Sequence, residues 1–204
     1  TKDLNPTFGS IQKLFQRRVS LIAFCEDRVV SIVSNKDALF NADGNTNLTA
    51  STNVLGQAIP FAGDYGISKN PESLASESYR LYFSDKQRGK ILRLSMDGIT
   101  PISDYGMNTW FKENLKTSDS ILGSYDDNKD EYNVTIKNET GSHTISFSEK
   151  VKGWVSFKTF YPESGISLSN EYYTYNNGIP FIHHQKGTVN QPVDYNTFYN
   201  IYKE

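Results

Sequence analysis

Cysteine is nearly missing: Cys25 is the single one in 204 residues. One thiol cannot close an internal disulfide, which excludes the disulfide-stapled extracellular module. Cys25 follows the apolar run 19–24, where a small buried residue is the plainer reading than a nucleophile. Histidine is almost as scarce, with His143, His183 and His184 alone. His183 and His184 close a strand pattern, where neighbours point to opposite faces, so they are not expected to converge on one metal. There is no HExxH, CxxC, phosphate loop, dinucleotide fingerprint or nucleophile elbow. No apolar run reaches the ~18 residues of a membrane span. Basic excess is lacking too, with 21 Lys and Arg against 23 Asp and Glu and a net charge of −2. That balance argues against sequence-specific nucleic acid as the partner. The chain has no initiator Met or signal-peptide pattern at its start and stops on an aromatic strand-like run. It reads as one β-rich region, 1–204, from a longer polypeptide.

What is present is aromatic and β-forming: 13% of the residues are Phe, Trp or Tyr. Apolar runs at 19–24 and 28–33 flank Cys25-Glu26-Asp27 as a hairpin buried on both faces. Residues 1–18 have weak periodicity and read as a lead-in. Residues 43–78 form a long polar stretch whose apolar island is Val54, Leu55, Ile59 and Phe61. A loop of that length is expected to serve an interface with a neighbouring module or subunit. Met107, Trp110, Phe111 and Leu115 fall at i, i+3, i+4 and i+8, the one helical stripe, which predicts a short helix near 106–116. Strand patterns resume at 121–125, 131–137, 143–148 and 154–160, and 171–175 with 179–183 makes a hairpin across Asn176-Asn177-Gly178. Pro162 to Gly165 is expected to break the chain between them.

Several motifs have a bland reading beside a chemical one. Asp126-x-Asn128-x-Asp130 begins like a calcium loop, but Glu131 and Lys137 stand where glycine and the bidentate glutamate belong. Asp43-x-Asn45-x-Asn47 fails likewise, and carboxylates in hairpin turns explain both. Asn47, Asn133 and Asn138 fit the glycosylation sequon by composition. A glycosidase pair is set by space rather than spacing, so Asp85, Glu149 and Glu163 stay open as its candidates, although each already fits a turn. Tyr172, Tyr173 and Tyr175 could stack sugars, and sheet packing explains them better. No catalytic residue, cofactor or metal is assigned.

The organising stretch is 79–103. Leu81 and Phe83 alternate with Tyr82 and Ser84; Asp85 to Gly89 is a turn; Ile91, Arg93 and Ser95 alternate with Leu92 and Leu94; Asp97-Gly98 turns into a third strand. Tyr82, Asp85, Arg88, Gly89, Asp97 and Gly98 are the structural motif, and with them the stretch resembles the YWTD-type β-propeller blade. Ser84 and Phe83 replace the usual Thr and Trp, and no second copy follows at a fixed period. The fold expected is mainly β, built of antiparallel meanders as propeller-like blades with one short helix.

A wider resemblance spans residues 50–184. It is carried by runs such as Asn53 to Gln57, Gly63 to Ser73, Tyr82 to Lys86, Pro101 to Met107, Gly123 to Asp126, Phe147 to Glu149, Gly153-Trp154, Pro162 to Gly165, Tyr172 to Gly178 and His183-His184. Together these are similar to tail-associated structural proteins of bacteriophages, of the nozzle or muzzle type. The resemblance implies a non-catalytic virion protein of the tail, assembled in the host cytoplasm. Its expected partners are other tail proteins and copies of itself in a homo-oligomeric ring around the DNA exit channel. The alternative class is a carbohydrate-binding or glycan-degrading β-propeller acting on host surface polysaccharide.

Overall fold

A computed structural model describes residues 3–17, 20–33 and 55–184. The chain forms two compact units, residues 1–69 and 70–204. In both, antiparallel sheets predominate, as the alternating patterns predict.

The first unit is a four-stranded sheet in sequential order: β1 (Ile11–Arg17), β2 (Ser20–Cys25), β3 (Val29–Val33) and β4 (Ala58–Pro60). The hairpin expected around Cys25 is present, with Phe24 opposite Val29. Ala23, Cys25, Val30 and Ile32 form its core, with Leu4, Phe8, Leu21, Leu55 and Ala58 against them. The lead-in holds a strand that its pattern hides. In β1 an irregularity between Ile11 and Lys13 shifts the pairing, and Ile11 and Leu14 are exposed, so the alternation is broken. Residues 43–54 of the long polar stretch lie outside the described residues. Beyond them, Leu55 and Ala58 pack on the unit's own core and β4 pairs with β3, which employs part of the apolar island within the unit. Residues 66–68 then close over the β2–β3 turn: the amides of Ile67 and Ser68 donate to Cys25 and Glu26 carbonyls, both at 3.0 Å. Gly66 is required there because a Cβ would lie 2.0 Å from the Glu26 carbonyl oxygen.

The second unit begins with a 3-10 turn, Pro71–Ser73, and a four-stranded meander: β5 (Ala75–Ser76), β6 (Leu81–Asp85), β7 (Lys90–Ser95) and β8 (Gly98–Pro101). All five residues of β6 are buried, so this strand is covered on both faces. Helix α1 (Asn108–Lys116) forms where the apolar stripe places it and buries Phe111 and Leu115. Each such burial contributes about 1.5–3 kcal/mol. A second sequential meander follows: β9 (Ser120–Asp126), β10 (Glu131–Asn138), β11 (Gly141–Ser148) and β12 (Gly153–Lys158). A three-stranded sheet ends the described chain: β13 (Ser164–Leu168), β14 (Glu171–Asn176) and β15 (Ile179–Ile182). β13 occupies part of the segment read as a break. Its apolar side chains Ile166 and Leu168 are 54% and 63% exposed, the reverse of an ordinary half-buried strand. Among the described residues no helix is long and apolar enough to cross a membrane.

Candidate functional site

The sheet β9–β12 is the centre of the second unit, and its two faces differ in chemistry. One face is apolar. Ile121 and Tyr125 of β9, Tyr132, Val134 and Ile136 of β10, and Ile145 and Phe147 of β11 form a single core with Tyr82, Ile91, Phe111 and Leu115. The ring of Tyr82 stacks on Tyr132 at 4.8 Å between centroids and on Tyr125 at 5.7 Å, with interplanar angles of 13° and 15°. These rings join the two meanders. The Tyr82 hydroxyl donates to Glu149 Oε1 at 2.9 Å, and Arg93 Nη1 donates to Glu149 Oε2 at 2.8 Å. Burial, then the Glu149 charge, pushes the Tyr82 pKa up, so the hydroxyl stays a donor. The Tyr132 hydroxyl donates to the Ser73 carbonyl at 3.0 Å, fastening the 3-10 turn to the same seam.

The residues of the expected structural motif fall into three places. Tyr82 lies in the seam. Asp85, Arg88 and Gly89 meet in the β6–β7 turn, where the fully buried Asp85 accepts from the Arg88 amide at 3.1 Å and from its guanidinium at 2.9 Å. Gly89 has φ +65° there, and a Cβ would come within 2.8 Å of the Lys112 Cα in α1. Asp97 and Gly98 form the β7–β8 turn at the other end of the hairpin; Gly98 has φ +102° with open space around it.

The other face of the sheet is polar and nevertheless covered. Ser124, Asn133, Thr135, Thr144 and Ser146 are all buried on it. Thr135 and Thr144 hydroxyls bond each other at 2.8 Å, Thr144 Oγ1 donates to the Phe160 carbonyl at 2.6 Å, and Ser146 donates to Asn133. The three-stranded sheet lies against this face and against β9. The Tyr172 hydroxyl is bonded to Ser124 Oγ at 2.7 Å. Ser167 Oγ donates to the Tyr125 carbonyl at 2.8 Å and accepts from the Asp127 amide at 3.0 Å.

Both terminal histidines of the described chain reach this polar layer. His183 lies between Phe160 and Tyr172, 4.4 and 5.1 Å between ring centroids, and is bonded to Thr174 at 2.7 Å. His184 donates from Nε2 to Asp126 Oδ2, while Asp126 Oδ1 caps its own turn by accepting the Asn128 and Lys129 amides. Their ring centroids are 6.1 Å apart. The expectation of opposed rings fails because β15 ends at Ile182 and His184 adopts φ +62°.

The carboxylates left open as a glycosidase pair each have a local function. Asp85 is buried in its turn, Glu149 anchors the seam, and Glu163 accepts the Gly178 amide at 3.3 Å. Asn133, in one of the sequons, is buried beneath the three-stranded sheet. Among the described residues no group of three or more His, Cys, Asp or Glu is placed to hold a metal ion.

A family model described as crassvirus muzzle protein matches residues 1–178. The chain belongs to the crassvirus muzzle protein family. No curated protein matches it. A muzzle-family chain is a structural protein of the phage virion, which is the class the tail-protein resemblance implies. The family also links it to other proteins of the particle.

Proposed function

We propose that this chain is a non-catalytic scaffold of the phage tail, working as a homo-oligomeric ring with other tail proteins around the DNA exit channel. The observation that carries the reading is the seam joining the two meanders. It is filled by stacked tyrosines, and the carboxylates beside it are engaged: Glu149 by Tyr82 and Arg93, and Glu77 by Arg80. Such a joint resists shear between sheets, as a scaffold requires. Three four-stranded antiparallel sheets with strands in sequential order also fit blades of a propeller that continues in a longer polypeptide.

The purified chain, or the full polypeptide containing it, is mixed with other tail proteins and resolved by native mass spectrometry. The expected result is a closed ring of identical copies. Antibodies against the chain should decorate the tail of intact particles, after assembly in the host cytoplasm. A strictly monomeric chain that decorates only the capsid would overturn the ring and the tail placement. Cleavage of host envelope polysaccharide, abolished by substituting one of the carboxylates, would overturn the non-catalytic role.

A further inference from the structure

The two faces of the β9–β12 sheet are held by unlike forces. The apolar core on one face contains no residue of β13, β14 or β15. On the other face, the hydrogen bonds to the three-stranded sheet run through hydroxyls, a backbone amide and the His184 imidazole, while His183, bonded to Thr174 within that sheet, packs its ring on Phe160. Serine, threonine and asparagine side chains regain hydrogen bonds from water when uncovered, so separating this layer costs less than opening the tyrosine seam. We propose that the β13–β15 sheet is an acid-releasable cover, which opens locally from the polar face and from β9 when His183 takes up a proton.

Among the described residues, charged and titratable groups near His183 come from several elements. β9 brings Asp126. β12 brings Lys158, which pairs with Glu131 of β10 at 3.1 Å. β14 brings Tyr172, whose hydroxyl burial holds protonated. His184 lies alongside. Asp126 is already engaged by His184 and by two turn amides. A proton on His183 therefore places charge between Phe160 and Tyr172, beside Lys158 and His184. Burial first, then His184 and Lys158, lower its pKa to about 4, with Asp126 opposing.

The sign follows from linkage. The ordinary histidine value is 6.5, and an opened cover returns His183 towards it. Closure is favoured in full above pH 6.5 and loses that advantage as the pH falls towards 4. By pH 4.5 the closed-to-open ratio should drop on the order of fiftyfold.

Hydrogen exchange on the 204-residue chain at pH 7.0 and 4.5, expressed as protection factors so that intrinsic rates cancel, tests this. Residues 164–176 should lose protection by tenfold or more, while 81–95 and 132–136 keep theirs. His183→Gln, which retains a neutral partner for Thr174, should remove the pH dependence. If that variant does not fold, the wild-type His183 ring is titrated by NMR and should show a depressed value, near 4, while the cover is closed. Unchanged protection of β13–β15 at pH 4.5 would overturn the proposal. So would a loss shared equally by β6, β7 and β10, the same loss in His183→Gln, or a His183 ring titrating near 6.5 under a closed cover.

Discussion

Replacing Gly123 by alanine should be among the costliest small changes in this chain. Gly123 lies in β9 on the apolar face, opposite Val134. An added Cβ would fall 2.0 Å from the Ser73 carbonyl oxygen, 2.7 Å from its carbon and 2.9 Å from the Tyr132 hydroxyl. Two of those atoms are backbone, and Ser73 cannot retreat freely. Its Oγ accepts from the Ser84 amide at 3.1 Å, and its own amide donates to the Asn70 carbonyl at 3.1 Å. Relief requires the 3-10 turn to move off the sheet, which breaks the buried bond from Tyr132 to Ser73. Overpacking of this kind costs about 1–3 kcal/mol, and a buried donor left unpaired about 1–3 kcal/mol more. The sum, roughly 2–6 kcal/mol, is a large part of the ~5–15 kcal/mol that a folded domain possesses. Urea denaturation followed by tyrosine and tryptophan fluorescence measures it, with Gly153→Ala as the control. At Gly153 the nearest atom to an added Cβ is 3.9 Å away, so that variant should stay within about 0.5 kcal/mol of wild type. If Gly123→Ala were as mild as its control, the account of the seam as a rigid joint would be refuted.

The seam's carboxylate gives a second outcome: Glu149→Ala leaves the Tyr82 hydroxyl and Arg93 without their acceptor and should cost about 2–4 kcal/mol in the same assay, with Glu149→Gln losing less. Phe111→Ala removes the buried ring that α1 sets 4.4 Å from Trp154; about 3–5 kcal/mol should be lost, with loss of helix signal in circular dichroism. Cys25 is fully buried and its thiol pKa is raised by burial, so Ellman's reagent should label it only as fast as the first unit opens. Immediate stoichiometric labelling of the native chain would contradict the packing of that sheet.

Much of the fold is legible where local chemistry decides the structure. The β6–β7–β8 meander follows from turns written in Asp85 to Gly89 and Asp97-Gly98, and α1 follows from one apolar stripe. The strands that sequence reading misses are those whose pattern is inverted or interrupted. β13 turns Gly165 and Ser167 inward and Ile166 and Leu168 outward, because Ser124 and the Tyr172 hydroxyl leave no room for a larger residue at 165. β1 loses its alternation at the irregularity near Gln12. The polar layer is illegible for a different reason. Ser124, Asn133, Thr135, Thr144 and Ser146 alternate with apolar residues just as a solvent-facing side does, and nothing local announces that a second sheet covers them. His183 and His184 belong to the same blind spot: alternation describes a strand, and both lie past its end.

The outer strands explain how such a sheet-rich chain is kept from indiscriminate strand pairing. β4, β8 and β15 each contain a proline, Pro60, Pro101 and Pro180, which has no amide to donate to an added strand. β1 and β12 are interrupted instead, at Gln12 and at Val155, and an extra residue tilts the ladder away from a regular partner. β5 is only two residues long. β9 and β13 have neither proline nor irregularity in their pairing with β10 and β14, and they engage each other through Ser167 of β13. Among the described residues the two continuous outer strands are thus those that guard each other, and the rest carry a proline, an irregularity or little length. On that logic the β13–β15 sheet has a protective as well as an architectural role. Its hold on β9 through hydroxyls and the His184 imidazole makes that protection the most readily reversed among the described edges.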